Sequence, residues 1–363
     1  MLTRKFQELP RYIYPADEWR LIEKEFYPRL LPQMETLFAT ANGFLGIRGC
    51  HEEGTPVHES ATLINGFHET WPITYGEEAF GYARTGQTIV NAPDGSIIRL
   101  YVDDGPLDVS KVNLIHYERV LNMQTGTLDR ELVWEKLSGK KIHVRSRRLV
   151  SLMHRHEVAM EYEITLLNDD APIVISSELV YRPGQQVSAR DPRGTRAFKE
   201  RVLLDQGHYA RDQRVIQSFI TRNSRMTLAC GMDHRLETDC VHSVAVKSED
   251  DRGRALYSIE GKKGVPIRLI KFLTYHVSRS SPAEELRERA ERALDRVAEK
   301  GFDKIVKMQW DYLNDFWERS DVEVTGDRAV QQVLRFNLFH IFQASARGES
   351  VGIPAKGLTG QGY

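Results

Sequence analysis

Cysteine is scarce in this chain. Cys50, Cys230 and Cys240 are the three among 363 residues, too few and too scattered for a disulfide framework and odd in number. They read as reduced thiols that serve as small packing residues. Excess charge of either sign is missing too: 50 Lys and Arg stand against 51 Asp and Glu, a formal net charge of -1. That balance recruits no polyanion, so a nucleic-acid partner is not expected. Long apolar runs are also lacking. No stretch approaches the length that spans a bilayer, and Met1 to Lys5 carries neither the apolar run nor the cleavage site of a secretory signal. The expectation is a soluble, cytoplasmic protein with no membrane partner. Residues are 41% hydrophobic and 28% charged, which excludes extended disorder. At this length one large domain and the start of a second are expected.

From Tyr12 to Leu31 the apolar residues follow neither the helix nor the strand period, and Pro15, Pro28 and Pro32 break the run. Mixed strand and turn are predicted there. Asn42-Gly43 and the glycines at 46 and 49 then mark a turn-rich loop whose backbone can take positive φ and come close to another surface. His51 to Tyr82 mixes Glu52, Glu53, His58, Glu59, His68, Glu69, Glu77 and Glu78 with Trp71 and two tyrosines. Aromatic faces stack on sugar rings and carboxylates accept hydroxyl hydrogens, so this stretch could line a sugar site. It could equally be a solvated irregular loop. Its His and Glu fall at no recognised zinc spacing, and no metal is assigned.

From Ile97 to Val277 the chain reads as repeated strands between turn residues. Val158, Met160, Tyr162, Ile164 and Leu166 alternate with Ala159, Glu161, Glu163 and Thr165, the pattern of a half-buried antiparallel strand. Similar segments run from Val112 to Met123, Lys141 to Leu152, Ile173 to Tyr181 and Pro266 to His276, with turns at Ser138-Gly139 and Asn168-Asp169-Asp170. Many short strands without helices between them predict a large antiparallel β-sandwich. His154 and His156 share a face on an extended chain, but without an evident third ligand they are expected to be exposed strand histidines. Pro183 to Arg214, rich in Arg, Asp, Gly and Gln, is expected to be a long excursion from the sandwich, either packed on a neighbour or mobile.

Helices begin at Ser281. Ser281 as N-cap, Pro282 at the first helical position and Glu284 three residues after the cap predict a helix start. Leu286, Ala290, Leu294 and Val297 then form one stripe until Gly301 ends it. A second helix, Asp303 to Arg319, carries an aromatic stripe that includes Trp310, Phe316 and Trp317, expected to pack in a core. A third, Asp327 to Ala346, has apolar residues around most of its circumference and is expected to be buried on several sides.

Two motifs stand out. Glu35-Thr36-Leu37-Phe38 is followed by Asn42-Gly43-Phe44-Leu45-Gly46-Ile47-Arg48-Gly49, and far downstream comes Ile353-Pro354-Ala355-Lys356-Gly357-Leu358-Thr359-Gly360-Gln361-Gly362-Tyr363. In this order, around a strand-rich stretch and paired helices, they resemble glycoside hydrolase family 65, the maltose, trehalose and kojibiose phosphorylases. There the Lys-Gly-Leu-Thr-Gly loop runs on into Gly-His, Phe-Trp and Asp-Thr-Glu, which lie beyond Tyr363. The resemblance implies a β-sandwich domain over residues 1–278, a helical linker over 279–320 and the truncated start of an (α/α)6 catalytic barrel over 321–363.

It also implies an activity: inverting cleavage of an α-linked glucose disaccharide by inorganic phosphate as co-substrate, releasing β-glucose 1-phosphate, with no cofactor. One carboxylic acid protonates the leaving oxygen while the nucleophile enters from the opposite face. The family's acid lies downstream of the matched loop, so no catalytic residue is nominated and this piece of chain is expected to be inactive. Lys356, Gly357, Leu358, Thr359, Gly360 and Tyr363 match the loop that leads into the substrate site and are the substrate-binding candidates. A homodimer formed through the sandwich is expected. Two other readings stand beside this one: a non-catalytic carbohydrate-binding or dimerisation module, and a family 65 hydrolase that uses water in place of phosphate.

Overall fold

The computed structural model describes residues 9–77, 79–183, 201–345 and 351–360. The chain opens with β1 (Arg20–Glu23), a short helix α1 (Leu31–Leu37), and then β2 (Thr40–Ala41), β3 (Leu45–Ile47), β4 (Thr62–Pro72) and β5 (Thr85–Ala92). Next come β6 (Ile98–Val102), β7 (Gly105–Pro106), β8 (Asn113–Asn122), β9 (Thr127–Glu135), β10 (Lys141–Val150), β11 (Glu157–Leu166) and β12 (Ala171–Val180). They are followed by β13 (Leu203–Arg211), β14 (Arg214–Thr221), β15 (Thr227–Glu237), β16 (His242–Glu249), β17 (Arg252–Gly261) and β18 (Ile267–Ser278). Helices α2 (Ala283–Lys300), α3 (Phe302–Ser320) and α4 (Arg328–Ala344) close the order.

Among the described residues the strands form three antiparallel sheets. One is nine-stranded, in the order β1-β8-β9-β10-β11-β18-β15-β14-β13; one is five-stranded, β16-β17-β12-β6-β7; the smallest is β2-β3-β4-β5. Alternation sets the core. Val158, Met160, Tyr162, Ile164 and Leu166 of β11 are all buried and share one apolar cluster with Leu100, Ile173, Ile175 and Tyr257 of the five-stranded sheet. Lys271 of β18 crosses between the layers, donating to the carbonyls of Ile97 (3.1 Å) and Glu178 (2.8 Å). The fold is mainly β, as the strand pattern predicts.

The opposite face of the nine-stranded sheet is not left polar. Leu149, Ala159, Ile216 and Phe272 pack there with Leu286, Ala290, Leu294 and Val297 of α2 and Phe302 and Ile305 of α3. This explains why Ala159, on the row expected to face water, is buried. A third cluster joins Met34, Phe38, Leu121, Leu313, Trp317 and Phe339, so α1, α3 and α4 meet beside β8.

Four expectations need correction. Ser281 does not cap α2; Pro282 is the N-cap residue with no side-chain bond, and the turn closes through the Leu286 N–H and the Pro282 carbonyl. His154 and His156 lie in the β10–β11 turn rather than on a strand, and His156 stacks on His276 with centroids 4.2 Å apart. Burial pushes His156 down to about 4, with the Tyr275 carbonyl acting against that shift. Within Pro183 to Arg214, residues 203–211 pair with β14 as an antiparallel hairpin strand with a register shift between Asp205 and Gly207, and 184–200 lie outside the described residues. Finally, α4 is not buried on several sides. Gln331, Gln332, Arg335 and Gln343 are among its buried residues, while Val330, Val333 and Ile341 are 45%, 54% and 63% exposed.

The buried polar side of α4 has a specific cause. Gln343 accepts the Ala41 N–H (2.9 Å) and donates to the Ala39 carbonyl (3.1 Å), and Gln332 donates to the Arg20 carbonyl (2.6 Å). Arg335 forms a two-pronged pair with Asp321 at 2.8 and 2.7 Å and lies 3.7 Å over the Trp19 ring. The helix is therefore attached to the strands by side-chain hydrogen bonds to backbone groups as well as by Phe339, buried in the cluster with Met34, Phe38 and Leu121.

Candidate functional site

The two sequence motifs, 300 residues apart in the chain, meet on the smallest sheet. Asn42 builds the β2–β3 turn: its Oδ1 accepts the N–H groups of Phe44 (3.1 Å) and Leu45 (2.8 Å), and Gly43 takes φ 85°. Its Nδ2 donates to the carbonyls of Ser151 (2.7 Å) and Arg155 (3.1 Å), fastening the hairpin to the end of β10. Gly46 and Gly49 are small for a different reason. A Cβ on Gly49 would lie 2.5 Å from the Phe38 Cβ, and one on Gly46 would lie 2.5 Å from the Leu358 Cβ and 2.6 Å from the Leu358 carbonyl oxygen. Close approach, rather than turn geometry, requires both glycines.

What approaches Gly46 is the 351–360 loop. Gly357 and Leu358 both adopt the left-handed conformation, at φ 60° and 61°. Leu358 is buried among Ala41, Ala61 and Leu63. The Thr359 carbonyl accepts Arg48 Nη1 at 2.6 Å, and the Gly352 carbonyl accepts Asn65 Nδ2 at 3.0 Å. Within the loop, Gly357 N–H reaches the Pro354 carbonyl (2.9 Å), and both the Thr359 N–H (3.2 Å) and its hydroxyl (2.7 Å) reach the Lys356 carbonyl. Lys356 is exposed; Gly357, Thr359 and Gly360 are half-buried. Among the candidates, the Leu358 side chain faces into protein and not outward, and Tyr363 lies outside the described residues.

Arg48 and Glu35, both buried, organise the socket. Glu35 accepts the N–H groups of His58 (2.8 Å) and Glu59 (3.0 Å) and pairs with Arg48 at 3.4 Å. Three further arginines grip the segment that follows. Arg148 donates to the carbonyls of Arg48 (2.8 Å) and Cys50 (3.1 Å), and Arg119 donates to that of Gly49 (2.8 Å). Arg130 holds Glu53 through two bonds of 2.7 and 2.6 Å, and Tyr162 donates to the same carboxylate at 2.6 Å. Glu52 lies 3.2 Å from Arg130 and 3.7 Å from Arg148; burial raises its carboxyl, but these arginines outweigh it and hold the group below its usual range. Burial, reinforced by Arg119, Arg130 and Arg148, keeps His51 neutral.

These contacts answer both readings of the His51 to Tyr82 stretch. Glu52 and Glu53 neither line an open cleft nor face water; they are buried partners of arginines. Glu69 is similarly committed, accepting the N–H groups of Asn223 (2.9 Å) and Ser224 (2.8 Å). Within the stretch, Thr62–Pro72 form the long strand β4, and the described residues before and after it are irregular. Exposed groups remain near the β4–β5 turn, including Glu77, Phe80 and Tyr82, and Glu78 lies outside the described residues. Elsewhere, Asp205, His208 and Asp250 bring ligand atoms within 4.8 Å of one another, a grouping that spacing does not reveal because Asp250 lies in the β16–β17 turn, far in sequence from β13; two of the three are exposed. The cysteines are free and buried, and burial pushes the Cys50 and Cys230 thiols up.

Comparison with known proteins gives the arrangement a context. Residues 21–316 match the model of the glycosyl hydrolase family 65 N-terminal domain. An uncharacterised glycosyl hydrolase of Mycobacterium leprae is 39% identical over 352 residues, covering 96% of this chain and 44% of its own. The α,α-trehalose phosphorylase of Thermoanaerobacter brockii is 34% identical over 357 residues, covering 97% of this chain and 46% of its own. A solved structure from the human microbiome, named provisionally as a kojibiose phosphorylase, superposes with a TM-score of 0.85 at 19% identity over 98% of this chain and 45% of its own length. That likeness is one of fold. The chain thus spans less than half the length of these relatives. With the family model matching most of the strands and helices that build the socket, this chain belongs to glycosyl hydrolase family 65.

Proposed function

We propose that the chain is the amino-terminal part of an inverting α-glucoside phosphorylase, acting on an α-linked glucose disaccharide with inorganic phosphate to give β-glucose 1-phosphate and a free sugar. The observation that carries this reading is the seating of the 356–360 loop on β2–β4, which joins the two motifs of the family resemblance in one place. Support comes from relatives named α,α-trehalose phosphorylase and kojibiose phosphorylase. On this reading residues 1–278 are a supporting sandwich, 279–320 a helical linker and 321–363 the first part of an (α/α)6 barrel. The outward apolar side of α4 fits a helix whose remaining neighbours come from the rest of such a barrel.

The chemistry follows the inverting glycosidase pattern: an acid protonates the glycosidic oxygen as an oxocarbenium-like centre forms, and phosphate enters from the other face. Phosphate is already an anion, so it needs a cationic, hydrogen-bonding pocket rather than a second carboxylate. Lys356 and the backbone around Gly357 and Gly360 contribute hydrogen bonds at the rim of the sugar site, and the acid lies outside these residues. Incubating the purified chain with trehalose, maltose or kojibiose and phosphate tests this. No phosphate-dependent glucose release is expected, whereas robust turnover would mean that the acid is present after all. Release restored in a longer protein, with phosphate required, supports phosphorolysis; release in water alone favours a hydrolase.

A further inference from the structure

We infer that Arg48 is a positioning residue for this site: with Gly46 and the pocket around Leu358 it forms a socket that fixes the 356–360 loop in one strained conformation. The inference rests on the sugar-rim reading only for its consequence, since the socket itself is a matter of geometry. Leucine in the left-handed region is strained and persists only where surroundings over-determine it. Here they do. The Leu358 side chain is enclosed by Ala41, Ala61 and Leu63, and its backbone lies against a glycine with no room for a methyl group.

Arg48 supplies the directional part. Its guanidinium has five N–H groups, and it makes five bonds: Nε to the Glu59 carbonyl (2.9 Å), Nη1 to the Thr36 hydroxyl (2.9 Å) and the Thr359 carbonyl (2.6 Å), and Nη2 to the Pro32 carbonyl (3.3 Å) and Glu35 (3.4 Å). Four of the five hold the fork to the segment between Pro32 and Glu59, so the fifth points in one direction. It cannot follow the loop without breaking the others. The loop therefore inherits the rigidity of the sheet, itself fastened by Arg119, Arg130 and Arg148. A site edge that must present Lys356 and the backbone near Gly360 to a sugar gains affinity from such preorganisation, because less freedom is lost on binding.

Gly46→Ala separates this role from general stability. Gly46 is not in the left-handed region, so its backbone accepts alanine, and the added methyl meets the loop before anything else. In the full 363-residue chain, hydrogen exchange at residues 357–360 and trypsin cleavage after Lys356 report on the loop directly. Both should accelerate by about tenfold in G46A, with circular dichroism and cooperative unfolding preserved. Arg48→Lys, a point charge without the fork, should give a partial effect and Arg48→Ala a full one. Exchange in G46A at the parental rate overturns the socket. Calorimetric titration with the three disaccharides forms a second arm, in which a loss of affinity of about threefold or more is expected for G46A. A parent chain that binds none of them at millimolar concentration, or a loosened loop that binds as well as the parent, removes the loop's role at the sugar site. The exchange data still decide the socket in either case.

Discussion

Helices α2 and α4 are of similar length, yet they meet the sheets in opposite ways. The α2 helix turns Leu286, Ala290, Leu294 and Val297 inward, each fully buried, and leaves its many charged residues outside. The α4 helix turns Gln331, Gln332, Arg335 and Gln343 inward and leaves Val330, Val333 and Ile341 partly in water. The first is an ordinary amphipathic helix stabilised by burial. The second is anchored by hydrogen bonds together with buried Phe339, and leaves Val330, Val333 and Ile341 largely uncovered. Helical periodicity alone reports that an apolar stripe exists, not which body covers it.

The largest effect should come from the layer between the nine- and five-stranded sheets, on the face of β18 turned away from α2, which holds a fully buried lysine. Burial pushes Lys271 from 10.5 down to about 7, while Asp94 and Glu178 act to raise it. Between those pH values the unfolded chain binds a proton that the folded chain does not, so stability should rise with pH, by at most about 1.4 kcal/mol per pH unit. Urea unfolding of the parent and Lys271→Met across this window checks it: the variant should lack this rise. Next, Leu294→Ala opens a cavity under α2 and should cost about 3 kcal/mol by the same measurement. Gln343→Leu strands the Ala41 N–H under α4 and should cost about 2 kcal/mol, showing that the polar anchor holds that helix. Smallest of all, Val333→Lys on the outer side of α4 should stay within about 0.5 kcal/mol in this chain. A comparable loss from Val333→Lys and Leu294→Ala would erase the contrast between the two helices.

Local pattern carried much of the architecture. The alternation in β11 and the stripe of α2 are each set within a dozen residues and lie where periodicity places them, whereas of the aromatic stripe of α3 expected in a core Trp317 is buried and Trp310 is 47% exposed. The site was legible only in outline. Gly46 and Gly49 read as glycines of a turn-rich loop able to come close to another surface, but the sequence does not show that Leu358 and Phe38 are that surface. Glu52 and Glu53 read as surface or ligand-facing acids because Arg130, 77 positions away in sequence from Glu53, is invisible to any local window. Arg48 reads as one member of a motif with no role of its own, since one of its five partners lies 311 residues downstream. Polar groups whose partners come from distant strands are what a one-dimensional reading misses.

The Gln343 amide bears on how the protein behaves in a crowded solution. Its oxygen and nitrogen meet the backbone of Ala41 and Ala39 much as an adjoining peptide group would, at β2, one of the two edge strands of the smallest sheet. A free sheet border invites foreign chains to add on and propagate into aggregates. One glutamine side chain thus acts as a false neighbour that ends the ladder.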